Sequence, residues 1–249
     1  MKVILEPEVV TKYCEFFKWV STCDISDALT RLNLDAVRMR GILPLVQFAE
    51  GAPHMAGPAK TIRYLPCHYK MQYQDVEYKL TEVVQNTPAG SVLVVEGGEF
   101  HKPAQGEMNG LTAVRAGVAG SVGDGAVRDV DAVRKLPLPV FYKPYPIGIT
   151  MESYVGRSIF AGVDIPIHMA GAMVRAGDII VGDNNGVVVV PVEWVEKIAE
   201  ICKEIQALES DIRNRASWDD WKSIYASSHK GKYAGDNDTR PDVFKNRAK

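Results

Sequence analysis

The sequence predicts an α/β protein whose central sheet is at least partly parallel. A β-branched run at residues 91–96 ends at two glycines, as a buried strand does. A segment with helical spacing follows at 106–117, and further strand-like runs alternate with short helical ones. Strands that alternate with helices are typical of βαβ units, in which neighbouring strands run parallel.

The first half of the chain is predicted to hold two helices within residues 8–33 and then a loop. Ser21 offers an N-cap for the second helix, and Ile25, Ala28 and Leu29 follow at helical spacing. Residues 38–57 are rich in Gly and Pro, which predicts an ordered loop with short extended pieces. A half-buried strand at 59–65 and a helix at 71–85 complete this half.

The second half continues the alternation and closes on a long helix. Strands are predicted at 119–124 and 139–142, with a short helix at 131–136 between them. After residue 147 the pattern changes to short strands, including 179–181 and 187–190, joined by an Asn-Gly turn. From Pro191 a helix is expected to about residue 215, with one apolar stripe: Trp194, Ile198, Ile201, Ile205, Leu208 and Ile212.

The composition describes an ordinary globular chain and excludes several function classes. Among 249 residues, 29 Lys and Arg against 31 Asp and Glu give a net charge of −2, which argues against a nucleic-acid binder. Four scattered cysteines without a paired spacing argue against a zinc site or a disulfide framework. No apolar run reaches signal-peptide or membrane-spanning length. We therefore expect a reduced, cytoplasmic enzyme with no membrane or nucleic-acid partner.

The chain shows no internal repeat and no clear linker, so one core domain is expected. Its predicted bounds are residues 21–215, with an N-terminal helical extension at 1–20. Residues 216–249 lose periodicity and carry dispersed charges, which is typical of a solvated C-terminal extension.

Two neighbouring clusters carry the residues that could do chemistry. Arg128 and Asp129 follow a predicted buried strand, and ligands of α/β sheets bind at the carboxyl ends of strands. Arginine suits a carboxylate, and aspartate suits Mg²⁺ or Mn²⁺. Glu107 lies at a predicted helix start beside Gly106, where free amides can bind an anion. Read alone, each cluster could equally be a surface ion pair or an acid stabilised by the helix dipole.

Together these residues resemble a known family. The chain is similar to the G-[ED]-x20-R-D signature of the RraA-like family, because Glu107 is followed after twenty residues by Arg128-Asp129. That family includes class II pyruvate aldolases that cleave 4-hydroxy-4-methyl-2-oxoglutarate and 4-carboxy-4-hydroxy-2-oxoadipate. Segments 24–28, 57–61, 89–95 and 176–191 resemble the family in the same order, so the likeness spans about residues 21–213.

The resemblance implies a β/β/α swivelling domain, assembled as a homotrimer or homohexamer with sites between subunits. It implies a Mg²⁺ or Mn²⁺ ion on Asp129, with Glu107 and a neighbouring subunit's Glu209 reaching the ion through water. Arg128 would contact the pyruvyl part of a 2-oxo acid substrate. The carboxylate of that substrate would be received by three successive backbone amides: Met108, Asn109 and Gly110.

The function that this resemblance implies is cleavage of a 4-hydroxy-2-oxo acid to pyruvate and a second oxo compound, with oxaloacetate decarboxylation as a side activity. Arg128, Glu107 and Asp129 would be the catalytic set. One departure concerns substrate identity, because Ala132 stands where the aldolase signature has an acid. Two alternatives remain: a non-catalytic regulator that binds an RNA-degrading nuclease, and a lyase acting on a sugar-acid-like substrate.

Overall fold

The computed structural model describes residues 6–68, 80–97, 105–145, 148–151 and 158–214. Its helices are α1 (Pro7–Phe17), α2 (Thr22–Arg31), α3 (Glu107–Arg115), α4 (Val130–Val133) and α5 (Val195–Asn214). Residues 80–85 are also helical. The strands are β1 (Arg38–Met39), β2 (Leu43–Pro44), β3 (Met55–Pro66), β4 (Val92–Glu96), β5 (Gly120–Gly123), β6 (Val140–Tyr142), β7 (Ser158–Val163), β8 (Ile167–Met169), β9 (Ala172–Val174), β10 (Ile179–Asp183) and β11 (Gly186–Val190).

One mixed sheet organises these elements and confirms the predicted fold class. Its strand order is β1-β11-β10-β3-β4-β5-β6-β2, and β7 also pairs with β3. Strands β3, β4, β5 and β6 run parallel, while β10 and β11 pair with their neighbours antiparallel. The predicted alternation of strands and helices therefore corresponds to the parallel centre of the sheet.

The sheet carries apolar side chains on both faces. Along β4, Val92 and Val94 belong to one buried cluster, and Leu93 and Val95 belong to another. The first cluster includes residues of α1, α2 and α5, and the second includes Ala113 of α3. Burial on both faces explains why this strand is a continuous apolar run rather than an alternating one.

Strand β3 begins earlier than predicted, so the loop expected up to residue 57 is wrong at its end. Met55 and Ala56 are 2% and 3% exposed, and residues 55–58 pair with β10. Gly57 belongs to the strand because of packing, since a Cβ there would lie 2.2 Å from the Gly90 carbonyl oxygen. A glycine that allows two backbones to approach closely looks like a loop residue in the sequence.

The closing helix is confirmed, but Trp194 is not part of its buried stripe. A 3₁₀ turn, Val192–Trp194, precedes α5, and Trp194 is 39% exposed. Ile198, Ile201 and Ile205 are buried as expected. Three predicted features lie outside the described residues: the helical residues 71–79, the side chain of Ile212 and the extension at 216–249.

Helix α2 is capped from two directions. The Ser21 hydroxyl accepts a hydrogen bond from the Cys23 N–H at 3.2 Å, as predicted. The buried Asp183 carboxylate accepts from the Thr22 N–H at 2.9 Å and from the Thr22 hydroxyl at 2.7 Å. The turn between β10 and β11 is thereby fixed to the start of α2.

Within the described residues, no helix combines the length and the apolar character needed to cross a membrane.

Candidate functional site

The candidate site lies on a short ladder of three extended segments beyond the carboxyl end of β5. Val127 is bridged in parallel to Gln105 on one side and to Ile149 on the other. The Arg128 N–H donates to the Gln105 carbonyl at 3.1 Å, and the Val127 N–H donates to the Gly148 carbonyl at 2.9 Å. This ladder fixes the backbone on which Arg128 and Asp129 are held.

Asp129 adopts a left-handed backbone conformation, with φ 53° and ψ 40°, directly before α4. Its carbonyl accepts hydrogen bonds from the N–H groups of Ala132 and Val133 at 3.0 and 2.9 Å. A non-glycine residue in this region carries strain, although aspartate tolerates it better than most residues. Such strain clusters at functional sites, because the surrounding structure must enforce it.

The structure brings Glu107, Arg128 and Asp129 together. The Glu107 N–H donates to Asp129 Oδ2 at 3.3 Å, and Arg128 Nε lies 3.2 Å from the same oxygen. The side chains of Arg128 and Asp129 are 34% and 37% exposed, and Glu107 is exposed. The Asp129 carboxylate thus lies between the positive end of α3 and a guanidinium, and ligands can reach it.

The two glycines near this helix start have different roles. A Cβ on Gly106 would lie 3.1 Å from Arg128 Cγ and 3.2 Å from Asp129 Oδ2, so this glycine leaves room for both side chains. A Cβ on Gly110 would lie 2.4 Å from Leu136 Cδ1, and the Gly110 N–H donates to the Gly106 carbonyl at 3.0 Å. Of the three amides expected to receive a carboxylate, that of Gly110 is therefore already engaged within the helix.

The other two amides belong to the first turn of α3, whose N–H groups have no partner within a helix. Met108 is 71% exposed, and Asn109 is half-buried. Their position beside Glu107 places two donors of the helix start next to the Asp129 carboxylate.

Gln105 supports the site from the interior of the protein, a role that the sequence did not predict for this residue at the predicted helix start. It is 3% exposed, and its Oε1 accepts a hydrogen bond from the Ser121 hydroxyl of β5 at 3.3 Å. Its Nε2 donates to the Gly106 carbonyl at 3.3 Å. Gln105 thereby ties the start of α3 to the sheet. Its role depends on a contact with Ser121, 16 positions away, which no local pattern encodes.

Glu209 lies on α5, which packs against α1 and α2. No three His, Cys, Asp or Glu side chains in the described parts of the chain are grouped as a metal site, so one chain does not gather Glu209 with Glu107 and Asp129. Mg²⁺ needs no such cage, because it keeps several waters and binds through one or two carboxylates. The exposed Asp129 carboxylate, which the backbone N–H of Glu107 contacts, is a ligand type that fits an ion of that kind.

A second charged cluster lies at the carboxyl ends of β3 and β4. Arg63 Nε is 3.1 Å from Glu96 Oε2, and only 14% of the Glu96 side chain is exposed. Burial raises the pKa of Glu96, the Arg63 charge opposes this shift, and the Asp124 carboxylate adds to it. The Gly97 N–H donates to Asp124 at 3.1 Å, which joins the cluster to the end of β5.

Comparisons with known proteins identify the family of the chain. The RraA-like family (aldolase/RraA) matches residues 22–189, which is more than half of the chain. A Halalkalibacterium halodurans protein named "Putative 4-hydroxy-4-methyl-2-oxoglutarate aldolase" is 29% identical over 211 residues, covering 84% of this chain and 90% of that protein. Protein DlpA of Legionella pneumophila is 30% identical over 194 residues, covering 78% of this chain, which spans only 30% of DlpA.

Solved structures share the fold. An uncharacterized protein from Pseudomonas syringae superposes with a TM-score of 0.70 at 25% identity, covering 85% of this chain and 97% of that one. Streptomyces coelicolor RraAS2, described as an unusual member of the RNase ES inhibitor RraA protein family, superposes at 0.69 with 24% identity, covering 86% of this chain and all of that one. This chain belongs to the RraA-like family.

Proposed function

We propose that this chain is a divalent-metal-dependent aldolase that cleaves a 4-hydroxy-2-oxo acid to pyruvate and a second oxo compound. The observation that carries the proposal is the contact of the Asp129 carboxylate with both the Glu107 N–H and Arg128 Nε. A carboxylate that can hold a cation beside an arginine and a helix start suits an anionic, chelating substrate. The similarity to the halodurans protein supports the same reaction class.

In this proposal each side chain has a separate task. Asp129 would hold Mg²⁺ or Mn²⁺ directly, and Glu107 would hold it through water. When bound, the cation would supply a Lewis acid for the negative charge that develops on the C2 oxygen.

Arg128 would add a second positive charge at that oxygen as the C3–C4 bond breaks and its electron pair moves toward the pyruvyl fragment. The C4 hydroxyl would lose its proton to water and become the carbonyl of the second product, and C3 of the pyruvyl fragment would take up a proton from water. The amides of Met108 and Asn109 would receive the substrate carboxylate. Loss of CO₂ from oxaloacetate places the same charge on the same oxygen, so we propose oxaloacetate decarboxylation as a side activity.

The proposal includes an assembly of several copies of the chain. The Asp129 side chain is 37% exposed, and Glu107 and Met108 are exposed as well, so the site is open on one side. We propose that a neighbouring copy in a trimer or hexamer closes it and contributes Glu209. Sedimentation of the purified chain would test the assembly, and metal-dependent pyruvate release by the Glu209→Gln variant would test the contribution of Glu209.

The experiment that tests the function is a screen for pyruvate release. The purified chain is incubated with several 4-hydroxy-2-oxo acids, including 4-hydroxy-4-methyl-2-oxoglutarate, and with oxaloacetate, in Mg²⁺, Mn²⁺ or chelator. Arg128→Ala should lower kcat at least about 100-fold, since it removes charge stabilisation in the transition state. Arg115→Ala, at the exposed end of α3, is the matched control and should leave kcat unchanged.

Two results would redirect the assignment. Release of a product other than pyruvate from a sugar-acid-like compound would keep the lyase but change its substrate. No turnover of any compound, together with direct binding to an RNA-degrading nuclease, would favour the regulatory role that RraA proteins of this family have.

A further inference from the structure

A groove of about 660 Å³ runs beside helix α1, on the face of the sheet opposite α3. Pro7 and Lys18 both line it, so it follows the whole helix, which is about 16 Å long at 1.5 Å per residue. Its other wall is formed mainly by small and apolar residues: Ala56, Pro58, Ala59, Ala89, Gly90 and Ala119. An open apolar surface of this extent is typical of a place that another apolar segment covers.

The charged side chains that line the groove are paired with one another. Lys60 Nζ lies 2.7 Å from Asp164 Oδ2, and Lys18 forms an ion pair with Glu15 on α1. Each of these charges is therefore already compensated by a neighbour within the groove. The groove suits an apolar occupant better than a charged ligand, because a charged ligand would have to compete with these pairs.

The start of α1 directs the preceding chain toward this groove. Glu6 is the N-cap of α1 and has an extended backbone, with φ −60° and ψ 140°. Leu5 therefore stands just before the N-cap, and Val10 is the fourth residue of the helix. An apolar residue before the N-cap often packs against an apolar fourth residue, and this contact sets the angle at which the chain enters the helix. Because Val10 lines the groove, the same contact would lead residues 1–5 into it.

We propose that residues 1–5, Met-Lys-Val-Ile-Leu, occupy this groove of their own chain and run antiparallel to α1. Four of these five residues are apolar, and five extended residues span about 17 Å, which matches the length of the groove. The segment covers the apolar surface between α1 and β3.

The two repeats fix which residues face each other. From Leu5 opposite Val10, two extended residues advance about 6.6 Å, and the four residues from Val10 to Cys14 advance about 6 Å. Val3 therefore lies opposite Cys14, which lines the groove and is 6% exposed. Side chains alternate along an extended segment, so Lys2 points away from α1.

The test is a disulfide cross-link in the full chain. Under oxidation with copper phenanthroline, the thiol of the Val3→Cys variant should join to Cys14 of the same chain in most molecules. A disulfide forms only where two Cα atoms come within about 7 Å, so the link reports this contact directly. Peptide mapping by mass identifies the linked pair. Lys2→Cys is the matched control and should link to Cys14 at least about fivefold less.

The melting temperature gives a second measurement that needs no cross-link. Val3→Asp should lower it by about 3 °C, because a charge replaces a buried aliphatic side chain, and Lys2→Asp should leave it within about 1 °C. Equal cross-linking of the two cysteine variants, or equal melting temperatures of the two aspartate variants, would overturn the inference. A link that joins two chains would assign the groove to a second copy and overturn it as well. Neither measurement depends on catalysis, so each of these outcomes leaves the proposed aldolase function standing.

Discussion

The Glu107 N–H donates a hydrogen bond to Asp129 Oδ2 at 3.3 Å, although the two residues are 22 positions apart in the sequence. The bond joins the first turn of α3 to the residue that precedes α4. Because Asp129 is held in a left-handed conformation by its own helix, its carboxylate is oriented before any ligand arrives. A carboxylate that is already oriented reduces the entropic cost of reaching the catalytic geometry.

Two substitutions can distinguish the effect of the Asp129 carboxylate on activity from the effect of the Asp129 backbone conformation on stability. Asp129→Asn should abolish metal-dependent pyruvate release but leave the free energy of unfolding nearly unchanged, because asparagine tolerates φ near +53°. Asp129→Ala should also be inactive and should lose a further ~1 kcal/mol of stability in urea unfolding. Equal stability of the two variants would show that the left-handed conformation carries no strain.

The space at Gly106 is the second feature that we expect to control activity. Gly106 has φ −143°, which alanine adopts freely, so Gly106→Ala adds only a methyl group. That methyl would lie 3.1 Å from Arg128 Cγ and 3.2 Å from Asp129 Oδ2 and would displace both by a few tenths of an ångström. We expect kcat to fall about tenfold or more, because catalytic groups tolerate little misplacement. Unchanged kcat with the same melting temperature would contradict this.

Much of the fold could be predicted because its signals are local. The apolar run of β4 and the Ser21 cap of α2 depend on a few consecutive residues, and both appear where expected. Glu107, Arg128 and Asp129 were found through their spacing in a family signature. The structure shows the physical basis of that spacing: one helix start and one turn meet at a single carboxylate.

The remaining features depend on contacts between distant segments, which no local pattern encodes. In the sequence Gly57 resembles a loop residue, but in the structure it allows the Gly90 carbonyl to pack close to its backbone. Gly110 resembles a ligand-binding glycine, but in the structure it makes room for the Leu136 side chain. Gln105 joins the site only because an isolated bridge places its segment beside Val127.

Asp183 should be among the residues on which stability depends most. It is 4% exposed, and its carboxylate accepts hydrogen bonds from the Thr22 N–H, the Thr22 hydroxyl and the Asn185 N–H. Asp183→Ala would leave the two buried donors of Thr22 unpaired and should cost about 3 kcal/mol. Urea unfolding would measure this loss, with Asp35→Ala as the exposed control. A loss no larger than that of the control would show that water replaces the carboxylate.

We expect the ionisation of Glu96 to lower the free energy of unfolding as pH rises above the acid range. Burial raises the pKa of its carboxyl in the folded state, and the charged groups that face it are Arg63, Asp124 and His168. A raised folded-state pKa means that protonation favours folding. The contribution is therefore complete below the unfolded value of about 4.3 and is lost as pH rises through the higher folded value. Urea unfolding at successive pH values should show the wild type losing stability relative to Glu96→Gln across this window. The exposed Glu82→Gln should track the wild type. A wild type that runs parallel to Glu96→Gln across this window, or gains stability relative to it as pH rises, would refute the assignment.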